Sequence, residues 1–226
     1  MVKSNNKITN FTVGLAIAIG IAASNYIESN LTVPFAVNIV VTFLLSATVV
    51  HSSIFWILNK LINHSDTLLK FYWGKTYLKG YWSYTYTIDG VTKYGAWCID
   101  QNTDSISIKG FGITDKGERR SDVQSLTSLI PSGKGYEVVN RRRDISDDGV
   151  LPDFFYYSKT VIHLQQRNTF MNLFNYPLDM DGQTYIYGGE LSGNVHKELK
   201  FAKHIEVKDE KGIEAIVVAL ISKSKK

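Results

Sequence analysis

Two uncharged apolar stretches stand back to back near the start of the chain, Phe11 to Ile27 and Val33 to about Leu58, with only Glu28-Ser29-Asn30-Leu31-Thr32 between them. A hydrocarbon layer about 30 Å thick takes roughly 20 helical residues at about 1.5 Å each, so the second stretch is ample and the first marginal. Both are read as membrane crossings, a two-helix hairpin over residues 11–62 behind a tail of residues 1–10. The competing reading is a cleaved signal peptide and one anchor, with Lys3 and Lys7 in front and Ala22-Ala23-Ser24 as a small-residue cleavage pattern. A longer span following after five residues suits a hairpin better. Asn25, Asn38 and His51 inside the spans need an interface or a second helix to bond to.

Flanking charge sets the orientation. Lys3 and Lys7 precede the first span, Lys60, Lys70, Lys75 and Lys79 follow the second, and the connecting loop carries only Glu28. The positive-inside rule then places both termini in the cytoplasm. The single cysteine, Cys98, rules out an intramolecular disulfide and agrees with a reducing compartment. The net charge of +4 sits partly in the membrane flanks and in the 223–226 tail, so it reads as a topology signal and lipid contact rather than as binding of a DNA or RNA polymer.

Beyond a linker at 63–77 the pattern changes. Trp82, Tyr84, Tyr86 and Ile88 alternate with Ser83, Thr85 and Thr87, the period of a strand. Asp89-Gly90 supplies the pair that a two-residue hairpin favours, and Val91 to Ile99 returns from it. Further strands are expected at 105–108, 123–130, 136–145, 154–164, 183–191, 195–207 and 213–221, with turns at 131–135 and 146–149. Asn168 to Tyr176, ended by Pro177, is expected to be a helical interruption, either a short lid or, in preference, a packed connection. The whole of residues 78–222 is therefore read as an all-β antiparallel up-and-down barrel of about eight strands, a size whose interior can hold one small ligand and which leaves no edge.

The search for reaction chemistry returns little. Gly133-Lys134-Gly135 lacks the spacing of a phosphate loop, and no Gly-x-Ser-x-Gly elbow occurs. The five histidines are scattered, and one cysteine cannot complete a thiolate zinc site, so neither a metal nor a catalytic residue is assigned. Asp144, Asp147, Asp148, Asp179 and Asp181 read as turn residues, since they miss the calcium-loop pattern. What stands out is aromatic and arginine supply. Apart from Tyr26 and Trp56, all 13 Tyr and 4 Trp lie at or beyond Tyr72, and every arginine (Arg119, Arg120, Arg141, Arg142, Arg143, Arg167) lies in the barrel segment. Most such rings serve strand packing. Rings also stack on bases and guanidinium forks match phosphate oxygens. The candidate ligand-binding residues on this chemistry are Trp82, Tyr84, Trp97, Tyr157 and Tyr185 for stacking and Arg120 and Arg142 for phosphate. Arg142 must point opposite to Arg141 and Arg143.

A short tail, a two-helix hairpin, then Leu78-Lys79-Gly80-Tyr81-Trp82-Ser83-Tyr84 opening a β domain, with Gly110-Phe111-Gly112 and Tyr187-Gly188-Gly189 further on, resembles the two-transmembrane β-barrel effectors of bacterial CBASS anti-phage defence. The likeness rests on architecture and covers nearly the whole chain. It implies a multi-pass inner-membrane protein whose barrel binds a cyclic dinucleotide or related cyclic oligonucleotide from a partner nucleotidyltransferase. It further implies self-association into a homo-oligomer and disruption of the bilayer by the helices. Gly14-x-x-x-Ala18, Ala16-x-x-x-Gly20 and Gly20-x-x-x-Ser24 place small residues where helices approach closely, either between subunits or within one hairpin. Two other classes remain: a tethered lipocalin-like carrier of a lipid or metabolite, and an interaction module without a small ligand.

Overall fold

The computed structural model describes residues 5–30, 34–88, 90–132, 135–144, 156–165, 176–187 and 197–224. The chain divides into two compact units, Met1–Tyr72 and Trp73–Lys226.

In the first unit, α1 (Asn5–Asn30) is followed by α2 (Phe35–Leu44), a π-helical turn (Leu45–Val50) and α3 (His51–His64). Two stretches are long and apolar enough to cross a membrane: Ile8–Asn30, 23 residues at mean hydropathy 1.4, and Val37–His64, 28 residues at 1.8. α1 packs against α2, the π turn and α3. Its packed face is a row four residues apart, Ile8, Thr12, Ala16 and Gly20, all buried, which is the spacing that stacks side chains on one side of a helix. Asn38 is buried too and donates Nδ2–H to the Ser24 carbonyl at 3.3 Å, while its Oδ1 accepts from Thr42 at 3.1 Å. Phe11, Ile17, Ile21, Phe35 and Phe43 stay exposed, so both helices are apolar on their outer faces, as a lipid environment requires. The segment expected as a linker is largely helical. α4 (Asp66–Trp73) begins where Ser65 Oγ accepts from the Leu68 amide at 3.4 Å with Asp66 in the first turn, and it runs into a 3₁₀ turn, Gly74–Thr76.

In the second unit nine strands run β1 (Gly80–Ile88), β2 (Val91–Gln101), β3 (Ile106–Ile113), β4 (Arg119–Ser125), β5 (Ile130–Ser132), β6 (Gly135–Asp144), β7 (Tyr156–Gln165), β8 (Asp179–Tyr187) and β9 (Lys197–His204). Neighbours are antiparallel, β9 pairs back onto β1, and β4 pairs onto β6, which closes an eight-stranded barrel. The three-residue β5 lies along β6 beyond the part that β4 covers. The first hairpin has the expected two-residue register, Ile88 opposite Val91, with Gly90 at φ 75, a left-handed value that glycine adopts without strain. Trp82, Tyr84 and Tyr86 point inward as the alternation predicts.

The last expected strand is a helix. Residues 210–224 form α5 (Glu210–Ser224), whose Ile213, Val217 and Ile221 are buried against Ala96, Phe111 and Ile113 on the outer face of the barrel. A run of β-branched residues reads locally as a strand, but its buried positions recur every four residues and serve one side of a helix. The expected turn at 146–149, residues 133–134 of the expected turn at 131–135, residues 168–175 of the expected helix, Arg167, Asp89 and Gly188-Gly189 lie outside the described residues, and Pro131 and Ser132 pair with β6 as part of β5.

Candidate functional site

The barrel interior is built from two unlike walls. One is aromatic: Trp97 and Phe201 have ring centroids 4.7 Å apart, and Tyr84 stands 5.9–6.0 Å from Phe201, Trp97 and Tyr86. Tyr84 and Trp97 pass close over the backbone because two inward positions, Gly95 on β2 and Gly110 on β3, are glycine. A methyl at Gly95 would overlap the Tyr84 ring and the Phe111 carbonyl, and one at Gly110 would come 2.6 Å from Trp97 Cδ1. The Tyr84 hydroxyl donates to that same Phe111 carbonyl at 3.2 Å.

The other wall is polar. Asn140 on β6 donates Nδ2–H to Thr160 Oγ1 at 3.3 Å, and the Thr160 and Thr184 hydroxyls stand 3.1 Å apart. Ser158 is buried beside them, and Arg142 joins the same lining across from Tyr84, Tyr86 and Trp97. Among the described residues of that lining, one is cationic and none is a carboxylate. The space left between the walls is about 30 Å³, room for about one water molecule.

One end is closed by Lys203, whose ammonium lies 4.5 Å from the Tyr77 ring centre, 5.0 Å from Tyr176 and 5.3 Å from Trp82. Burial of this cation is offset by the electron-rich ring faces. Just outside, the Gln101 amide holds the segment entering β1. Its Oε1 accepts from the Leu78 and Lys79 amides at 2.6 and 3.0 Å, and its Nε2 donates to the Thr76 carbonyl at 3.0 Å.

The seven candidate ligand residues separate into two groups. Trp82, Tyr84 and Trp97 are buried in the interior, and Arg142 points inward with them while Arg141 and Arg143 point out. Tyr157 and Tyr185 are on the outer face; Tyr157 is 47% exposed and the Tyr185 hydroxyl donates to Gln183 at 3.4 Å. Arg120 is exposed at an irregularity of the β3–β4 register, where Gly112 faces Ser121 but Ile113 faces Arg119. These three therefore share no pocket with the interior four. The polar wall of Asn140, Ser158, Thr160 and Thr184 was missed. Alternation along 138–142 and 158–160 is its only trace in the sequence, and it becomes informative once strand pairing is known.

The small-residue rows of α1 separate likewise. Gly20 is buried within the hairpin and Ser24 receives Asn38, whereas Gly14 and Ala18 are exposed, with open space around Gly14.

A serine–histidine pair also forms. Ser83 Oγ lies 2.8 Å from His204 Nε2, and His204 Nδ1 lies 3.6 Å from Glu206 Oε1. The array falls short of a nucleophilic triad: 3.6 Å is too long for the orienting hydrogen bond, Glu206 is 72% exposed, and Ser83 is buried in mid-strand between two ladders. Comparison with protein-family models and with curated proteins returns no match to this chain.

Proposed function

We propose that this chain is a membrane-anchored sensor and effector of the CBASS anti-phage type. The barrel binds a cyclic oligonucleotide made by a partner synthase, the bound form self-associates, and the two helices then disrupt the bacterial inner membrane from a topology with both termini in the cytoplasm. The observation that carries the reading is the opposition of the Tyr84–Trp97–Phe201 wall to Arg142 and the Asn140–Thr160–Thr184 wall inside one closed barrel. Flat rings suit bases, hydroxyls and amides suit base edges, and a guanidinium suits a phosphodiester. Because the space between these two walls is about 30 Å³, a ligand seated there has to displace rings, and that displacement is the signal. The exposed Gly14–Ala18 row is the proposed subunit contact, since the Gly20 row is already used within the hairpin.

The test is calorimetric titration of the full chain in nanodiscs with a panel of cyclic di- and trinucleotides. One member should bind, and Arg142→Gln should weaken it about tenfold or more, the usual size of a lost charge-assisted hydrogen bond. Co-expression with the synthase should admit a membrane-impermeant dye into cells carrying the wild-type chain but not Gly14→Leu. Absence of heat with every nucleotide removes the sensor reading. Bound lipid extracted from the purified chain favours the carrier class instead.

A further inference from the structure

We infer that the barrel carries a second ligand site on its outside, a cleft for a phosphate-bearing anion between the sheet and the N-terminal part of α5. This goes beyond the sensor reading and does not depend on the interior binding anything. The cleft has a volume of about 420 Å³, within the range of small-molecule pockets and far larger than the space inside the barrel.

Strand register brings its charges together. Lys109 on β3 faces Gln124 on β4, which faces Arg141 on β6, and one row further Asp122 faces Arg143. Arg141 and Arg143 are alternate residues of one strand, so both point outward on the same face, roughly 7 Å apart along it. Lys109, Arg141 and Arg143 line the cleft with Phe111 and Ile213, which give it an apolar side. Two carboxylates also line it, Asp122 and Glu210. Glu210 is engaged by Arg119, which also reaches Glu214, and three cations against two carboxylates leave the lining with a positive balance that favours an anion.

Two guanidiniums and an ammonium around a space of this size match the chemistry of phosphate oxygens, which accept paired, charge-assisted hydrogen bonds. The apolar side accepts the uncharged part of the same molecule. A free phosphorylated metabolite and a phosphorylated lipid headgroup offer the same recognisable group.

Cys98 makes the site testable, because it lines the cleft and is the only cysteine in the chain. Thiol alkylation of the full chain therefore reports on this cleft alone. In nanodiscs of neutral lipid, inorganic pyrophosphate or adenosine monophosphate should slow alkylation in a saturable way. Alternatively, discs containing phosphatidylinositol 4-phosphate should slow it with no soluble ligand present; the first result identifies a free metabolite and the second a headgroup. Arg141→Gln, Arg143→Gln and Lys109→Met, made singly on outward-facing positions, should each weaken the protective ligand about tenfold or more. Lys200→Met, on exposed β9 outside the cleft lining, should leave it unchanged. Alkylation at the same rate under all three conditions overturns the inference, and so does protection that survives all three outer variants.

Discussion

The indole Nε1–H of Trp82 donates to the Leu78 carbonyl at 2.8 Å, so a ring on the barrel floor holds the residue that enters the first strand. Both residues are fully buried, and the same entry segment is gripped from its other side by Gln101. Backbone groups at this depth have no water to fall back on, so their satisfaction rests on these two side chains.

Gln101→Leu is expected to cost about 2–4 kcal/mol, because the Leu78 and Lys79 amides and the Thr76 carbonyl lose partners together. Trp82→Phe removes one hydrogen bond and should cost less, about 1–3 kcal/mol. Thermal unfolding of the full chain in nanodiscs measures both. Equal melting temperatures for Gln101→Leu and wild type contradict the role given to this amide.

Gly95→Ala should destabilise the barrel by at least about 1–3 kcal/mol through overpacking. Shortening the obstructing ring should rescue it only in part, since the added methyl meets the Phe111 carbonyl as well as Tyr84. The double variant Gly95→Ala/Tyr84→Leu, compared with Tyr84→Leu alone, isolates the backbone clash. Full recovery in the double variant shows that the ring alone sets the constraint.

The helix α5 is held by packing more than by charge. Ile213 is 1% exposed, and Ile213→Ala should cost about 2–5 kcal/mol. Arg119 bonds Glu210 and reaches Glu214 at 3.3 Å, but its side chain is 35% exposed and Glu210 is 57% exposed. Arg119→Ala should therefore cost about 1 kcal/mol or less, and less still in high salt. A larger loss for Arg119→Ala than for Ile213→Ala in the same denaturation series reverses this order.

Stability should decline on the alkaline side. Burial pushes the Cys98 thiol up, although a hydrogen bond with Tyr81 acts in the opposite direction, and burial likewise pushes up the phenols of Tyr136 and Tyr81. The folded chain keeps these protons at pH values where the unfolded chain releases them. The stabilisation is therefore complete below the ordinary thiol value of about 8.5 and is lost as pH rises through the higher folded values, with the phenols following above about 10. Cys98→Ala should flatten the first part of the decline in melting temperature and, because Cys98 also helps to raise Tyr81, reduce the second without removing the part due to Tyr136. Parallel curves for variant and wild type from about pH 8 upward dismiss the thiol's part.

Legibility in the sequence followed the range of the interactions involved. The paired apolar runs and the alternation of Trp82, Tyr84 and Tyr86 are local patterns, and the helices and first strands follow them. The Gly90 turn is local too. The segment 213–221 misled because a helix lying on a sheet and a buried strand are both rich in branched apolar residues. What separates them is the outward Ala96–Phe111–Ile113 face that needs covering, and that face exists only once β2 and β3 are paired. The interior site behaved in the same way. Trp82, Tyr84, Trp97 and Arg142 could be named from residue type, but Asn140, Thr160 and Thr184 are ordinary polar strand residues until register sets them side by side. Residue type likewise singles out Tyr157, Tyr185 and Arg120, but the pleat places the two tyrosines on the outer face and the β3–β4 irregularity leaves Arg120 exposed, apart from the interior four.

The glycines beneath Tyr84 and Trp97 give the barrel an asymmetric wall, thin and smooth along β2 and β3 and studded with hydroxyls across the way. Both walls are pinned, one by the Tyr84 hydroxyl on the Phe111 carbonyl and the other by the Asn140–Thr160–Thr184 chain across β6, β7 and β8. A guest entering between them would have one hydrogen bond to break on the aromatic side and a linked series on the other.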